Sequence, residues 1–315
     1  MSALDAIVQG IIQGITEFLP LSSSGHQALY QHFFGQGAEG SVFFSIMLRM
    51  GTLVAVIAAF YDDVWMLIKE VGTCLQELVR GRFTLKAATA QRKMLFMLIL
   101  ASLPLLVAAF LHKWATGLAQ DSSIILEGVM FLLTAALLFL ASRVRPGKAG
   151  LRQMRPRTAF MVGIMQGAAV LPGFSRSGAT ISTGMILGFD SRFMVRFSFL
   201  MAIPTILGSA IFDIGAAAKQ ESTVGFGLIA LGILAAAVFG YLSIAFVRWA
   251  AASGKLVYFA WYALILGAVV LLMGIIQQVA GAGGVAASSS AASTVSSIAE
   301  AVSGAVSSGA GSAAG

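Results

Sequence analysis

The chain has 315 residues, 58% hydrophobic and only 10% charged, with a mean hydropathy of +0.90. Soluble domains carry about 25% charged residues, so this composition excludes a soluble globular protein and indicates an all-α polytopic membrane protein with no nucleic-acid partner. The net charge of +7 matters less than where the charges fall, and the single cysteine, Cys74, excludes an internal disulfide or a cysteine-based metal site.

Residues 4–19 are mostly apolar but end at Pro20, followed by Leu-Ser-Ser-Ser-Gly-His-Gln. That run is short for a membrane span, which needs about 20 residues. A weaker apolar run resumes at 28–34, so 4–34 reads as a re-entrant pair of half-helices. No basic region precedes it, and no cleavable signal peptide is expected. Residues 42–61 form the first full span, with Arg49 its one charge. Residues 62–93 read as a polar loop carrying Lys69, Arg80, Arg82, Lys86, Arg92 and Lys93. Spans two and three fall at about 94–112 and 123–142. Residues 143–157 are a second basic loop, with six Lys or Arg and no acid. A second re-entrant pair covers 158–189, broken at Pro172-Gly173 because proline lacks a donor and glycine is conformationally free. Three more spans follow at about 195–214, 225–247 and 257–278. Residues 280–315 are almost wholly Ala, Ser, Gly and Val, a composition expected to stay disordered or weakly helical.

The two halves repeat. Residues 10–52 align on 163–205 without a gap, pairing Gly10, Gln13, Gly14, Ser22, Ser24 and Gly25 with Gly163, Gln166, Gly167, Ser175, Ser177 and Gly178. Each half is one half-helix pair plus three spans, about 1–142 and 158–279. Three is odd, so the second half is expected to be inverted in the membrane, with a binding site where the interrupted segments meet at the midplane. The charges agree. With 62–93 cytoplasmic, three crossings put 143–157, 190–196 and 248–255 on the same side. These segments hold every Lys and Arg except Arg49, Lys113, Arg176 and Lys219, as the positive-inside rule requires. The first pair then enters from outside and the second from the cytoplasm.

The two turns carry the chemistry. The second reads Pro-Gly-Phe-Ser-Arg-Ser-Gly-Ala-Thr over 172–180. Arg176 there is an intramembrane arginine, expensive and by default functional. Gly173, Ser175, Ser177 and Thr180 surround it with donors, and a guanidinium with hydroxyls and backbone N–H groups is how proteins hold phosphate. The first turn carries Gln13, Glu17, Ser22, Ser23, Ser24 and His26. Gln13 and Glu17 are one helical turn apart and share a face. Glu17 suits a divalent cation, Mg²⁺ or Ca²⁺, bridged to a pyrophosphate. His26 is a candidate nucleophile or general base, with Ser23 as the rival nucleophile. A phosphoryl-transfer set inside a bilayer points to a lipid diphosphate, whose head group meets the turns while its chain stays in lipid.

Gln13–His26 (QGITEFLPLSSSGH) and Pro172–Thr180 (PGFSRSGAT) resemble the two signature motifs of the bacterial undecaprenyl-pyrophosphate phosphatases of the bacitracin-resistance type. The resemblance covers roughly 1–279. It implies cleavage of undecaprenyl pyrophosphate to the monophosphate and phosphate, recycling the carrier lipid of cell-wall synthesis. It also implies a divalent cation and often a homodimer, and the topology read from the charges expects a multi-pass inner-membrane protein whose site opens to the outer side. By that likeness Glu17, Ser23, His26 and Arg176 form the core. Gln13 stands where the family often has Glu, which puts a two-carboxylate metal site in doubt. Arg49 lies outside both motifs and is expected to add a phosphate contact. The alternative function is a secondary transporter or polyprenyl-phosphate flippase, since inverted repeats are common in transporters. A transporter needs no nucleophile, so Glu17, His26 and Arg176 favour the enzyme.

The topology has a direct test. Cysteines substituted between 80 and 92 should resist a membrane-impermeant thiol reagent added to intact cells and react after lysis. Labelling from outside would reverse the orientation.

Overall fold

A computed structural model describes residues 1–34, 42–84, 89–115, 124–145, 147–217 and 224–280. In chain order they form helices α1 (Ala3–Phe18), α2 (Ser23–Phe34), α3 (Val42–Ala59), α4 (Tyr61–Val79), α5 (Ala90–Ala115), α6 (Ile125–Arg143), α7 (Pro156–Ala168), α8 (Arg176–Ile186), α9 (Ser191–Ala217) and α10 (Phe226–Ala252). A further helix, α11, runs over Val257–Ala280. Residues Met1–Leu271 make one compact unit, and the contacts below lie within it. The expected tail at 280–315 falls almost entirely outside the described residues.

Six helices are long and apolar enough to cross a membrane: α3, α5 over Ala90–Ala108, α6, α9 over Ser191–Asp213, α10 and α11. They match the six expected spans to within a few residues. The short helices α1 and α2, and α7 and α8, occupy the two segments expected as half-helix pairs. In the second segment α7 stops at Ala168, before Pro172-Gly173. Two further turns of chain follow, and Gly173 takes φ +90, a conformation glycine adopts without steric cost.

The expected polar loop at 62–93 is corrected by the structure, because most of its first half is the helix α4. Hydropathy averaged over this segment is too low for a span, since Asp62, Asp63, Lys69, Glu70 and Glu77 interrupt it. The helical period is nevertheless present. Tyr61, Trp65, Ile68, Leu75 and Val79 share one face, and all five are exposed, the pattern of a helix lying in a membrane interface. The opposite edge of α4 is held by Arg92 of α5. Arg92 donates to Glu70 at 2.6 Å and forks onto Glu77 at 2.8 and 3.0 Å. That guanidinium holds the Glu77 carboxyl below the usual carboxylate range.

Between apolar helices in lipid, close packing and not water exclusion drives association, so small residues line the contacts. α1 packs chiefly on α10, and α7 chiefly on α5. A Cβ on Gly10 would stand 2.6 Å from the Gly232 carbonyl oxygen, and one on Gly14 would stand 2.6 Å from the Ala236 carbonyl oxygen. Gly163 and Gly167, their partners in the internal alignment, lie in the same way against Ala101 and Pro104 of α5. The largest buried cluster joins Phe18, Val56, Met97, Leu138, Ile181, Phe197 and Phe199, so both halves of the chain share it.

Gly14→Val should overpack the α1–α10 contact and cost about 1–3 kcal/mol, lowering the thermal aggregation midpoint in detergent. Gly72→Ala on α4, where a Cβ meets nothing within 4 Å, should leave the midpoint unchanged or raise it. Equal midpoints for Gly14→Val and wild type would remove the close approach as a source of stability.

Candidate active site

The two turns are built alike. Ser22 has φ +70, the one positive φ at a non-glycine position among the described residues. Its Oγ accepts the N–H of Gly25 at 3.3 Å and lies 3.3 Å from Ser24 Oγ. Ser175 repeats this as the N-cap of α8: its Oγ accepts the N–H of Gly178 at 3.1 Å and lies 3.3 Å from Ser177 Oγ. The turns also touch. Gly25 lies against the backbone of Gly173, and Ser177 Oγ donates to the Leu19 carbonyl at 3.0 Å.

The first residue of each short helix points to one acceptor. Ser23 opens α2, and its Oγ donates to Glu17 Oε2 at 2.8 Å. Arg176 opens α8, and its Nη2 donates to Glu17 Oε1 at 2.8 Å. Gln13, one turn back on α1, donates to Glu17 Oε2 at 2.9 Å and itself accepts from Gln27 at 2.8 Å. The Arg176 and Glu17 side chains are only 16% and 10% exposed. A charge pair so nearly enclosed persists only if further hydrogen bonds satisfy it, and Gln13 and Ser23 supply them. The guanidinium has five N–H donors, and this contact uses one.

His26 lies one turn along α2 from Ser23. Its Nδ1 is 2.8 Å from the Ser22 carbonyl. A carbonyl only accepts, so Nδ1 carries the proton in the neutral ring. Nε2, 2.8 Å from the Tyr262 hydroxyl, is then the acceptor. The ring stacks on Tyr262 at 5.8 Å and meets Phe131 edge-on at 5.3 Å.

The family model described as Bacitracin resistance protein BacA matches residues 6–269. The undecaprenyl-diphosphatase of Alkaliphilus metalliredigens is 34% identical over 88% of this chain and 100% of its own. That of Desulfosudis oleivorans is 37% identical over 87% of this chain and 99% of its own. That of Carboxydothermus hydrogenoformans is 33% identical over 87% and 98%. The chain belongs to the BacA family.

Within this BacA protein, the remaining expected residues have the following contacts. Ser175, Ser177 and Thr180, expected as phosphate donors, are buried. Their hydroxyls cap α8, tie to Leu19 and bond Ser198 at 2.6 Å. Gly173 lets the second turn press against the backbone of Glu127 on α6. Ser24 is exposed at the turn. Arg49, expected as a second phosphate contact, donates through Nη1 to Asp213 of α9 at 3.1 Å.

Three supporting residues carry no signal of their role in the sequence. Thr134 of α6 accepts the Ser175 N–H at 3.0 Å and so braces the second turn. Gln27 orients Gln13, and Tyr262 orients His26. Each is one polar residue among apolar neighbours or beyond the motif core, and no spacing rule ties it to a turn elsewhere in the chain.

Arg176→Lys keeps the charge but loses the planar fork that grips carboxylate and phosphate oxygens together. Its turnover should fall by about 10²-fold or more while the detergent-solubilised protein keeps its elution profile. Near-normal turnover would assign the anion contact to another cation.

Proposed function

We propose that this BacA protein hydrolyses undecaprenyl pyrophosphate to undecaprenyl phosphate and inorganic phosphate, so recycling the carrier lipid of cell-wall synthesis. One observation carries the reading: a hydroxyl from one turn and a guanidinium from the other meet on the two oxygens of a single enclosed carboxylate. The curated relatives' names agree with it.

In this reading Ser23 Oγ attacks the terminal phosphorus and its proton passes to Glu17 Oε2. The bond from that phosphorus to the bridging oxygen breaks, and undecaprenyl phosphate leaves. Arg176 turns its free N–H donors to the phosphoryl oxygens, where charge builds up. Water then attacks the phosphoserine, Ser23 recovers the proton held by Glu17, and inorganic phosphate leaves carrying the water's protons. What supports Ser23 over His26 as nucleophile is contact. Ser23 has a carboxylate acceptor, whereas both His26 ring nitrogens are engaged by Ser22 and Tyr262.

A divalent cation belongs to the same proposal. No group of three or more His, Cys, Asp or Glu side chains forms a metal cluster among the described residues. One carboxylate, with pyrophosphate oxygens and water as the other ligands, fits the way Mg²⁺ is commonly held at phosphate sites. Glu17 would be that ligand, and the ion would neutralise charge on the pyrophosphate.

The membrane arrangement is part of the reading as well. The packing of α1 on α10 and of α7 on α5, with matching serine caps at both turns, supports two inverted halves, each with a re-entrant pair. The basic segments 62–93, 143–157, 190–196 and 248–255 support a cytoplasmic location for their end of the bundle. The site would then open to the outer leaflet, where the pyrophosphate lipid appears after polymer transfer.

The test is to quench turnover of substrate labelled at its terminal phosphate with acid. Wild type should retain an acid-stable, base-labile label, as a phosphoserine does, and Ser23→Ala should retain none and lose at least about 10²-fold in phosphate release. An acid-labile, base-stable label would make His26 the nucleophile. Chelation should depress wild-type turnover, and Glu17→Gln should lose both the activity and the metal response. An active Glu17→Gln with an unchanged metal titration would contradict the carboxylate's role.

A further inference from the structure

Away from both turns, a cavity of about 720 Å³ opens where α3 ends, α4 and α9 begin and α10 ends. Its walls carry Arg192 and Arg196, one turn apart on α9, and Arg248 on α10. Phe60, Tyr61 and Trp249 form its aromatic part. Asp62 and Asp63 also line it, so the lining is not uniformly basic. Asp63 is committed, however, because Arg196 forks onto it through two nitrogens. Arg248 stands over the Phe60 ring at 5.5 Å. Among the described residues, neither Arg192 nor Arg248 has a carboxylate within ion-pair distance. Lys255 adds a further cation beside the cavity, its Nζ 4.5 Å from the centre of the Trp249 ring.

The cavity's surroundings are apolar. Trp249 and Phe246 are about half exposed and stack on each other at 5.6 Å. On the other side the exposed face of α4 presents Tyr61, Trp65 and Ile68. Tryptophan and tyrosine beside arginine at helix ends mark the level of lipid head groups. Basic pockets between membrane helices take phosphate head groups, with the acyl chains lying along the neighbouring apolar flank.

We infer that this cavity is a binding site for the phosphodiester head group of an anionic phospholipid, held by Arg192 and Arg248 with Trp249 beside its acyl chains. The site shares no residue with the Glu17–Arg176 centre and does not depend on the phosphatase reading. Arg196 is the rigid part of its wall, fixed by Asp63 between α4 and α9. Arg192 and Arg248 are the groups left to meet a phosphate. Asp62 narrows the choice to ligands whose charge is concentrated on one phosphate.

The experiment uses the purified full chain in detergent. Tryptophan emission, to which Trp249 contributes, is followed during titration with phosphatidylglycerol, with phosphatidylcholine of the same acyl chains, and with inorganic phosphate. Native mass spectrometry of the same mixtures counts bound lipid. Wild type should bind phosphatidylglycerol at least about 10-fold more tightly than phosphatidylcholine. The double substitution Arg192→Gln with Arg248→Gln should weaken phosphatidylglycerol about 30-fold, and Arg192→Lys with Arg248→Lys should restore most of it. Phosphate release should be unchanged in the lysine pair, which shows that the fold is intact. Equal binding of the two lipids would overturn the proposal, as would undiminished phosphatidylglycerol binding by the glutamine pair. Inorganic phosphate competing at the lipid's own concentration would overturn the lipid as ligand.

Discussion

The fold depends on satisfying one enclosed carboxylate. Glu17 closes α1 just before the chain turns, and it lies where water cannot pay the cost of its charge. Arg176 answers it from the other half of the chain, and Gln13 and Ser23 complete its hydrogen bonds. Removing one member of such a pair leaves an uncompensated charge and costs about 3–5 kcal/mol. The ion pair therefore locks the two turns together. Ser177 on Leu19, and Gly25 against Gly173, add the neutral contacts that hold the same junction.

The internal repeat separates scaffold from chemistry. Where the aligned turns agree, the residues build backbone: Ser22 and Ser175 cap, Ser24 and Ser177 reach those caps, and Gly25 and Gly178 supply the capped N–H groups. Where they differ, the residues bring the groups that the proposed mechanism uses or chooses between. Ser23 aligns with Arg176, Glu17 with Val170, and His26 with Ala179. One turn thus brings hydroxyl, carboxylate and imidazole, and the other brings only the guanidinium. The shared part fixes where the first helical residue points, and the divergent part decides what it presents. The helix α4 lies outside this scheme, since among the described residues α9 is followed by the long apolar α10. It instead forms one wall of the arginine-lined cavity.

Much of this was legible from residue order. Spans follow from apolar length, which is why the six long helices fall close to their expected bounds. The two broken segments follow from Pro20 and from Pro172-Gly173, which a straight helix does not accommodate. Glu17, Ser23 and Arg176 stand out because each is polar in an apolar context. What stayed hidden depends on pairing between distant helices. Arg49 has no partner within its own span, and Asp213 supplies one from α9. Ser175, Ser177 and Thr180 cap α8, tie to Leu19 and bond Ser198, contacts hidden in the sequence because a hydroxyl that caps a turn has the same composition as one that binds an anion. Thr134 and Tyr262 sit in spans whose hydropathy tolerates a single hydroxyl, and α4 was lost to averaging over its charges.

The central claim is that Glu17 and Arg176 act as one unit, and a double-mutant cycle on phosphate release from the lipid diphosphate tests it most directly. Glu17→Gln, Arg176→Gln and the combined variant would be compared with wild type at saturating substrate, each verified as folded and membrane-inserted. Residues that act together are strongly non-additive. The account predicts that each single change lowers turnover by at least about 10²-fold and that the double falls little further than the worse single. A double variant whose loss equals the product of the two single losses would show that the carboxylate and the guanidinium work independently, and would contradict the account.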